Sequence, residues 1–140
     1  MYRIFNHGWD SKKDYDDYKK YLMPKLHKIL DKGYSVKWDG FGNWVTITKS
    51  MGNYKAPEKH CFNMIMLCQI KCFRLKSTYG INDGRISKMW LVLKPDYPSR
   101  QYNFEHQIDY FNYDRGSDVN KLKKDKKAKK MYDDIIRVFG

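Results

Sequence analysis

Between Phe62 and Leu75 the chain alternates with the period of an extended backbone. Met64, Met66, Cys68, Ile70 and Cys72 fall on one side, and Ile65, Leu67, Gln69, Lys71 and Phe73 on the other. The first half is apolar on both sides, so it reads as a central strand covered on both faces. A central strand needs neighbours, and the flanking sequence supplies them. Tyr34 to Lys49 carries β-formers around Asp39-Gly40-Phe41-Gly42-Asn43 and reads as a hairpin. Arg85 to Lys94 returns as a strand, stopped by Pro95 and Pro98. Ser50 to Lys59 reads as a loop, Ser77 to Gly84 as a turn, and Ser99 to Arg115 as a short strand or an ordered loop.

The ends of the chain change period. Asp10 and Ser11 are good N-caps, and Tyr15, Tyr18, Leu22, Leu26, Ile29 and Leu30 recur at helical spacing up to Gly33, a natural residue after a helix end. Pro24 inside this stretch predicts a kink or a restart. Ser117 is read as the cap of a last helix running to about Val138, with apolar positions at Val119, Leu122, Ala128, Met131, Tyr132, Ile135, Ile136 and Phe139. The expected architecture is α+β. An N-terminal helix, an antiparallel sheet of four to five strands and a C-terminal lysine-rich helix form a single domain over 1–140, with the helices on one face of the sheet.

Charge says most about partners. Lys121 to Lys130 reads KLKKDKKAKK, with seven lysines and one aspartate, and holds half of the net charge of +12. Like charges at this density repel one another, and a polyanion is the usual counterpart. A solvated helix face is the bland reading, but such faces normally mix signs. Lys121, Lys123, Lys124, Lys127 and Lys130 are the expected phosphate contacts. Arg85, Lys88 and Arg115 would extend them. Tyr102, Phe104, Tyr110, Phe111 and Tyr113 lie close by in sequence and read either as core or as base-stacking and interface side chains. The mean hydropathy of −0.83 is low. The aromatic content of 16% nevertheless gives enough to bury for a folded domain.

Other chemistries find little support. Cys61, Cys68 and Cys72 follow His60 at Cys-x₆-Cys and Cys-x₃-Cys spacing within an expected strand and not in the turns of a zinc site, and Cys68 and Cys72 share a strand face as core residues do, so no metal is expected. Glu105 and His106 are adjacent and point apart on a strand, and His7, His27 and His60 have no partner visible in sequence. No catalytic residue and no cofactor is assigned. No stretch is apolar enough for a membrane helix and no signal peptide is apparent, so the expected location is the cytoplasm of a bacterial host cell. The odd cysteine count fits that compartment. The excess of Lys, Asn, Tyr and Ile over Ala is typical of low-GC genomes such as those of Firmicutes and their phages.

Tyr79 to Trp90 reads YGINDGRISKMW. This YGI-x-x-GRISK-x-W segment, within Phe62 to Leu93, resembles a motif of small proteins of unassigned activity from Firmicute phages and mobile elements. The short, basic chain without catalytic residues resembles anti-CRISPR proteins in overall profile. The resemblance implies an inhibitor of a host defence nuclease, binding a CRISPR-type effector or its guide RNA or DNA through a basic surface. A general nucleic-acid-binding phage accessory protein, and an enzyme acting on nucleic acids or nucleotides through His60, Glu105 or His106, are the alternatives.

Overall fold

The computed structural model describes residues 12–40, 43–55, 61–72, 80–95, 107–114 and 117–140. Helix α1 spans Lys12–Asp31 and buries Tyr18, Leu22, Leu26 and Ile29, the i, i+4 stripe of its sequence. It runs through Pro24 without a restart. Pro24 lies on the exposed side, where water can hydrate the Lys20 carbonyl that loses its intrahelical donor. At the other end Gly33 adopts φ +94°, and its N–H donates to the Leu30 carbonyl at 2.9 Å. The expected caps Asp10 and Ser11 lie outside the described residues.

Strands β1 (Ser35–Trp38), β2 (Trp44–Lys55), β3 (Cys61–Cys72), β4 (Ile86–Pro95), β5 (Ile108–Asp114) and β6 (Ser117–Asn120) follow in sequence, and helix α2 (Lys126–Phe139) closes the chain. The six strands form one antiparallel sheet in the order β1-β2-β3-β4-β5-β6. The class is α+β as expected, with six strands where four to five were expected.

Two of the additional pairings replace expected features. The loop expected at Ser50 to Lys59 is strand as far as Lys55. Between Ser50 and Gly52 the register against β3 shifts, Gly52 takes φ +61°, and pairing resumes. The helix expected from Ser117 begins only at Lys126. Ser117–Asn120 pairs instead with β5, and Leu122–Lys124 forms a 3₁₀ turn. Asp125 is the physical reason for the later start. Its carboxylate accepts from the Lys127 and Ala128 N–H groups at 2.8 and 3.3 Å, satisfying donors that a helix running on from Ser117 would use internally.

The register separates two faces. Val45, Ile47, Met64, Met66, Cys68, Ile70, Cys72, Met89, Leu91 and Leu93 are buried on one, and form one core with Tyr18, Leu22 and Ile29 of α1 and Met131, Ile135 and Phe139 of α2. Full burial of such side chains is worth roughly 1.5–3 kcal/mol each. Ile65, Leu67, Gln69 and Lys71 of β3 point to the opposite face and are only half-buried. Ile65 and Leu67, the described outward side chains of the first half of β3, are thus only partly covered, short of the two-sided burial expected from its composition. No described helix packs on the second face.

Candidate nucleic-acid interface

The lysine run begins as an extension of the sheet edge. The Lys121 N–H donates to the Tyr110 carbonyl at 2.7 Å, and the Asn120 side chain accepts the Leu122 N–H at 3.3 Å. Leu122, Asp125, Ala128 and Met131 are buried. Every third residue through the turn and into α2 thus faces inward, and the seven lysines of the run all lie on the solvent side. The run is neither a free tail nor one helix face. It is a knuckle whose apolar third is anchored and whose cationic remainder is displayed.

Two buried carboxylates fasten this knuckle. Asp125, 3% exposed, caps α2 through one oxygen and accepts the Tyr110 hydroxyl through the other at 3.0 Å. Asp134, 5% exposed, accepts the Tyr34 hydroxyl at 2.7 Å and the Lys130 ammonium at 2.9 Å. Burial pushes the Asp134 carboxyl up, but the hydrogen bonds from Lys130 and Tyr34 outweigh it and hold the group below the usual carboxylate value. The Tyr34 hydroxyl is pushed up by burial and by its bond to Asp134. Lys129 pairs with exposed Asp133 at 2.6 Å, so Lys129 and Lys130 are matched one turn along the helix. Lys121, Lys123, Lys124 and Lys126 make no ion pair among the described residues. Lys126 and Lys127 stand in the first turn of α2, where the helix dipole disfavours cations, so both add positive charge to an already positive helix start.

A cleft of ≈ 200 Å³ opens between this end of α2 and β2. Met51, Met66 and Met131 form an apolar floor, and Lys49, Lys127 and Lys130 stand round it with Tyr34 and Ser50. The Lys49 ammonium lies 5.3 Å from the centre of the Tyr34 ring. The arrangement suits an anionic group at the rim attached to something less polar below. Lys49 was missed in the sequence. It comes from β2, far from the lysine run, and only the packing of α2 on the sheet brings the two together.

The other expected site residues are elsewhere. Arg85 stacks on the Tyr21 ring of α1 at 3.8 Å, and Tyr21 in turn donates its hydroxyl to the Phe139 carbonyl at 2.6 Å. Arg85 therefore sits at the C-terminal end of α2, away from the knuckle. Lys88 faces the opposite side of the sheet and pairs with Asp114 at 3.6 Å. Neither extends the lysine surface as expected, because strand alternation and the length of α2 carry them away. Arg115, like Tyr102, Phe104, His7, His60, Glu105 and His106, lies outside the described residues.

Tyr79 lies outside the described residues, and the rest of its segment, from Gly80 to Trp90, packs closely. A Cβ on Gly80 would fall on the Gly84 carbonyl, and one on Gly84 would come within 3.1 Å of Gly140. Asn82 takes φ +54°, which asparagine tolerates. The Ser87 hydroxyl donates to the Lys71 carbonyl at 3.1 Å, and the Trp90 indole to Asp109 at 3.1 Å.

Tyr110 and Phe111 are core residues. Phe111 stacks on Tyr113 and tilts against Tyr132, so neither Tyr110 nor Phe111 forms an exposed platform. Cys68 and Cys72 are free, buried thiols on the core face. Burial, offset only in part by Tyr18, Tyr21 and Arg85, pushes the Cys72 thiol up to about 12, and burial raises Cys68 as well. Both are protonated core side chains. Among the described residues no three His, Cys, Asp or Glu side chains gather into a ligand set. No helix among them is long and apolar enough to cross a membrane.

Residues 52–140 match the profile of a family described as a domain of unknown function, DUF7678. The chain belongs to this family. The matched span begins inside β2 and takes in β3 to β6, the lysine knuckle and α2, and leaves α1 and β1 outside it. No curated protein and no solved structure matches the chain.

Proposed function

We propose that this DUF7678 protein binds nucleic acid through the knuckle at Lys121 to Lys130. The observation that supports this reading is the inward spacing of Leu122, Asp125, Ala128 and Met131, which turns every lysine of the run outward, with Lys121, Lys123, Lys124 and Lys126 making no ion pair among the described residues. Flexible ammonium groups displayed in this way replace counterions along a phosphate backbone without reading its sequence. The basic cleft beside Lys49 adds a second place for an anion on the same side.

The test replaces Lys121, Lys123, Lys124, Lys127 and Lys130 with glutamine and measures RNA and DNA affinity against salt. The expected result is a loss of roughly 100-fold or more at moderate salt, with the slope of log affinity against log salt flattened by up to about 4. All five positions are exposed, but Lys130 also bonds the buried Asp134, so a variant that keeps Lys130 and replaces the other four should melt within about 4 °C of the unaltered protein. Equal affinity and equal slope in the variant would remove the proposal.

The narrower form of this reading is an inhibitor that engages nucleic acid held by a host defence nuclease. The small basic chain and the likeness of its Tyr79 to Trp90 segment to phage proteins support it. Stoichiometric inhibition of one CRISPR-type effector, lost in the glutamine variant, distinguishes it from general nucleic-acid binding.

A further inference from the structure

The sheet face opposite the helices carries its own pattern. The strand register places Trp44, Lys71, Lys88 and Asp114 in one row across β2 to β5. The adjacent row reads Lys37, Thr46, Gln69, Trp90 and Asn112 across β1 to β5. Trp44 is 46% exposed, a large apolar surface for a face on which no described helix packs. Its neighbour in that row, Lys71, holds its ammonium 5.9 Å from the Trp44 ring centre. On one side of Trp44 a cleft of ≈ 130 Å³ runs to Trp90 past Gln69, Lys88 and Asn112. On the other a second cleft opens along Lys37 and Thr46. Val92, further along the same face, is fully buried, so the open part is the end holding the two tryptophans.

Strand spacing and rise put the Cα atoms of Trp44 and Trp90 roughly 12 Å apart, two strands and one row removed. Two indoles at that distance, with lysines between and beside them, fit a flexible polyanion whose flat groups are free to turn toward the sheet. Gln69 and Asn112 bring amides that both donate and accept, as base edges require. Duplexes keep their bases stacked inside, whereas unpaired bases can lie on aromatic rings. Asp114 offsets Lys88, but Lys37 and Lys71 make no ion pair among the described residues. Asp109 accepts the Trp90 indole and the Gln107 amide, which orients the ring, and Asp114 is paired with Lys88.

We infer that this face is a single-stranded nucleic-acid site, in which Trp44 and Trp90 stack on unpaired bases while Lys37 and Lys71 meet the phosphates between them. The inference shares with the knuckle the reading of the ligand as nucleic acid, but rests on a separate surface and assigns the class of strand.

The experiment measures fluorescence anisotropy of a labelled oligo(U), an oligo(dT) and a blunt duplex of equal length with the full chain. Trp44→Ala should weaken both single strands about tenfold or more and leave the duplex unchanged. The salt slope should stay as in the unaltered protein, because stacking releases no counterion. Trp44→Phe should retain most of the affinity, which a general loss of structure would not allow. Unchanged single-strand affinity in Trp44→Ala overturns the inference. So does an equal loss for the duplex. If the lysine-to-glutamine protein loses affinity while Trp44→Ala does not, the knuckle stands and the face falls; the reverse result leaves the face standing alone. Absence of oligonucleotide binding by the unaltered protein overturns both.

Discussion

Two turns in this molecule look alike in sequence, and the fold uses them in opposite ways. The glycine turn at Gly80 to Arg85 and the lysine knuckle at Lys121 to Lys130 are both polar segments with cations. At the first, the backbone is pressed against itself and against Gly140, and Arg85 is laid flat on Tyr21. At the second, the backbone is tied down by Leu122 and Asp125 while the ammonium groups are left outside. A cation in a turn therefore says little until its neighbours are known. What separates the two is the presence of an aromatic or acidic receiver, supplied by α1 for Arg85 and largely missing round Lys121, Lys123, Lys124 and Lys126.

The contrast can be broken first at Gly80. Alanine there puts a methyl group onto the Gly84 carbonyl, with backbone on each side and no side chain to yield. Urea titration should show a loss of about 3 kcal/mol or more, or no cooperative fold at all. A loss below about 1 kcal/mol would mean the turn opens easily, and that its glycines serve something other than packing.

Asp125→Ala comes next and tests the inner side of the knuckle. The helix loses its cap, about 1 kcal/mol, and the buried Tyr110 hydroxyl loses its acceptor, about 1–3 kcal/mol. A combined loss of about 2–4 kcal/mol in the same titration is expected, and Asp125→Asn should recover part of it. If alanine costs nothing, the knuckle is not anchored as described, and its lysines are displayed by accident.

Tyr34→Phe sharpens the comparison with a smaller effect. Asp134 is held below its ordinary value in the folded protein, so its contribution is complete above the unfolded value, near 3.9, and is lost as pH falls through the lower folded value. Removing the Tyr34 hydroxyl should cost about 1–2 kcal/mol at pH 7. The difference between the two proteins should shrink as the pH drops below about 4. A penalty that stays constant down to pH 2 would assign the effect to the ring and not to the carboxylate.

Much of the fold could be read in advance because its signals are periodic. The i, i+4 stripe of α1 and the alternation of Met64 to Cys72 needed nothing beyond the chain. The start of α2 differs from the expected one because Ser117 and Asp125 are both acceptable caps, and the edge of β5, which pairs with Ser117–Asn120, leaves Asp125 to take the role. The strand from Ser50 to Lys55 was hidden by Gly52, which reads as a loop residue and is used at a register shift. For the candidate site, the lysines themselves were plain, and their company was not. Lys49 reaches them by packing alone, Lys88 is turned away by strand alternation, and Arg85 is held at the other end of α2 by Tyr21. Trp44 and Trp90 share a face only once the β2–β3–β4 register is known. A regular spacing was available to the eye at Leu122, Asp125 and Ala128, but an aspartate in an apolar row looks like a break until its tyrosine partner is seen.

Strand order has a kinetic side as well. Each strand lies beside its own predecessor, so every rung of the sheet closes a short loop, at small entropic expense, as the chain zips from one hairpin to the next. The long-distance event is the meeting of α1 with α2, joined where the Tyr21 hydroxyl reaches Phe139 across most of the chain's length. In such a topology, the pairing of the helices closes the longest loop and carries the largest closure entropy.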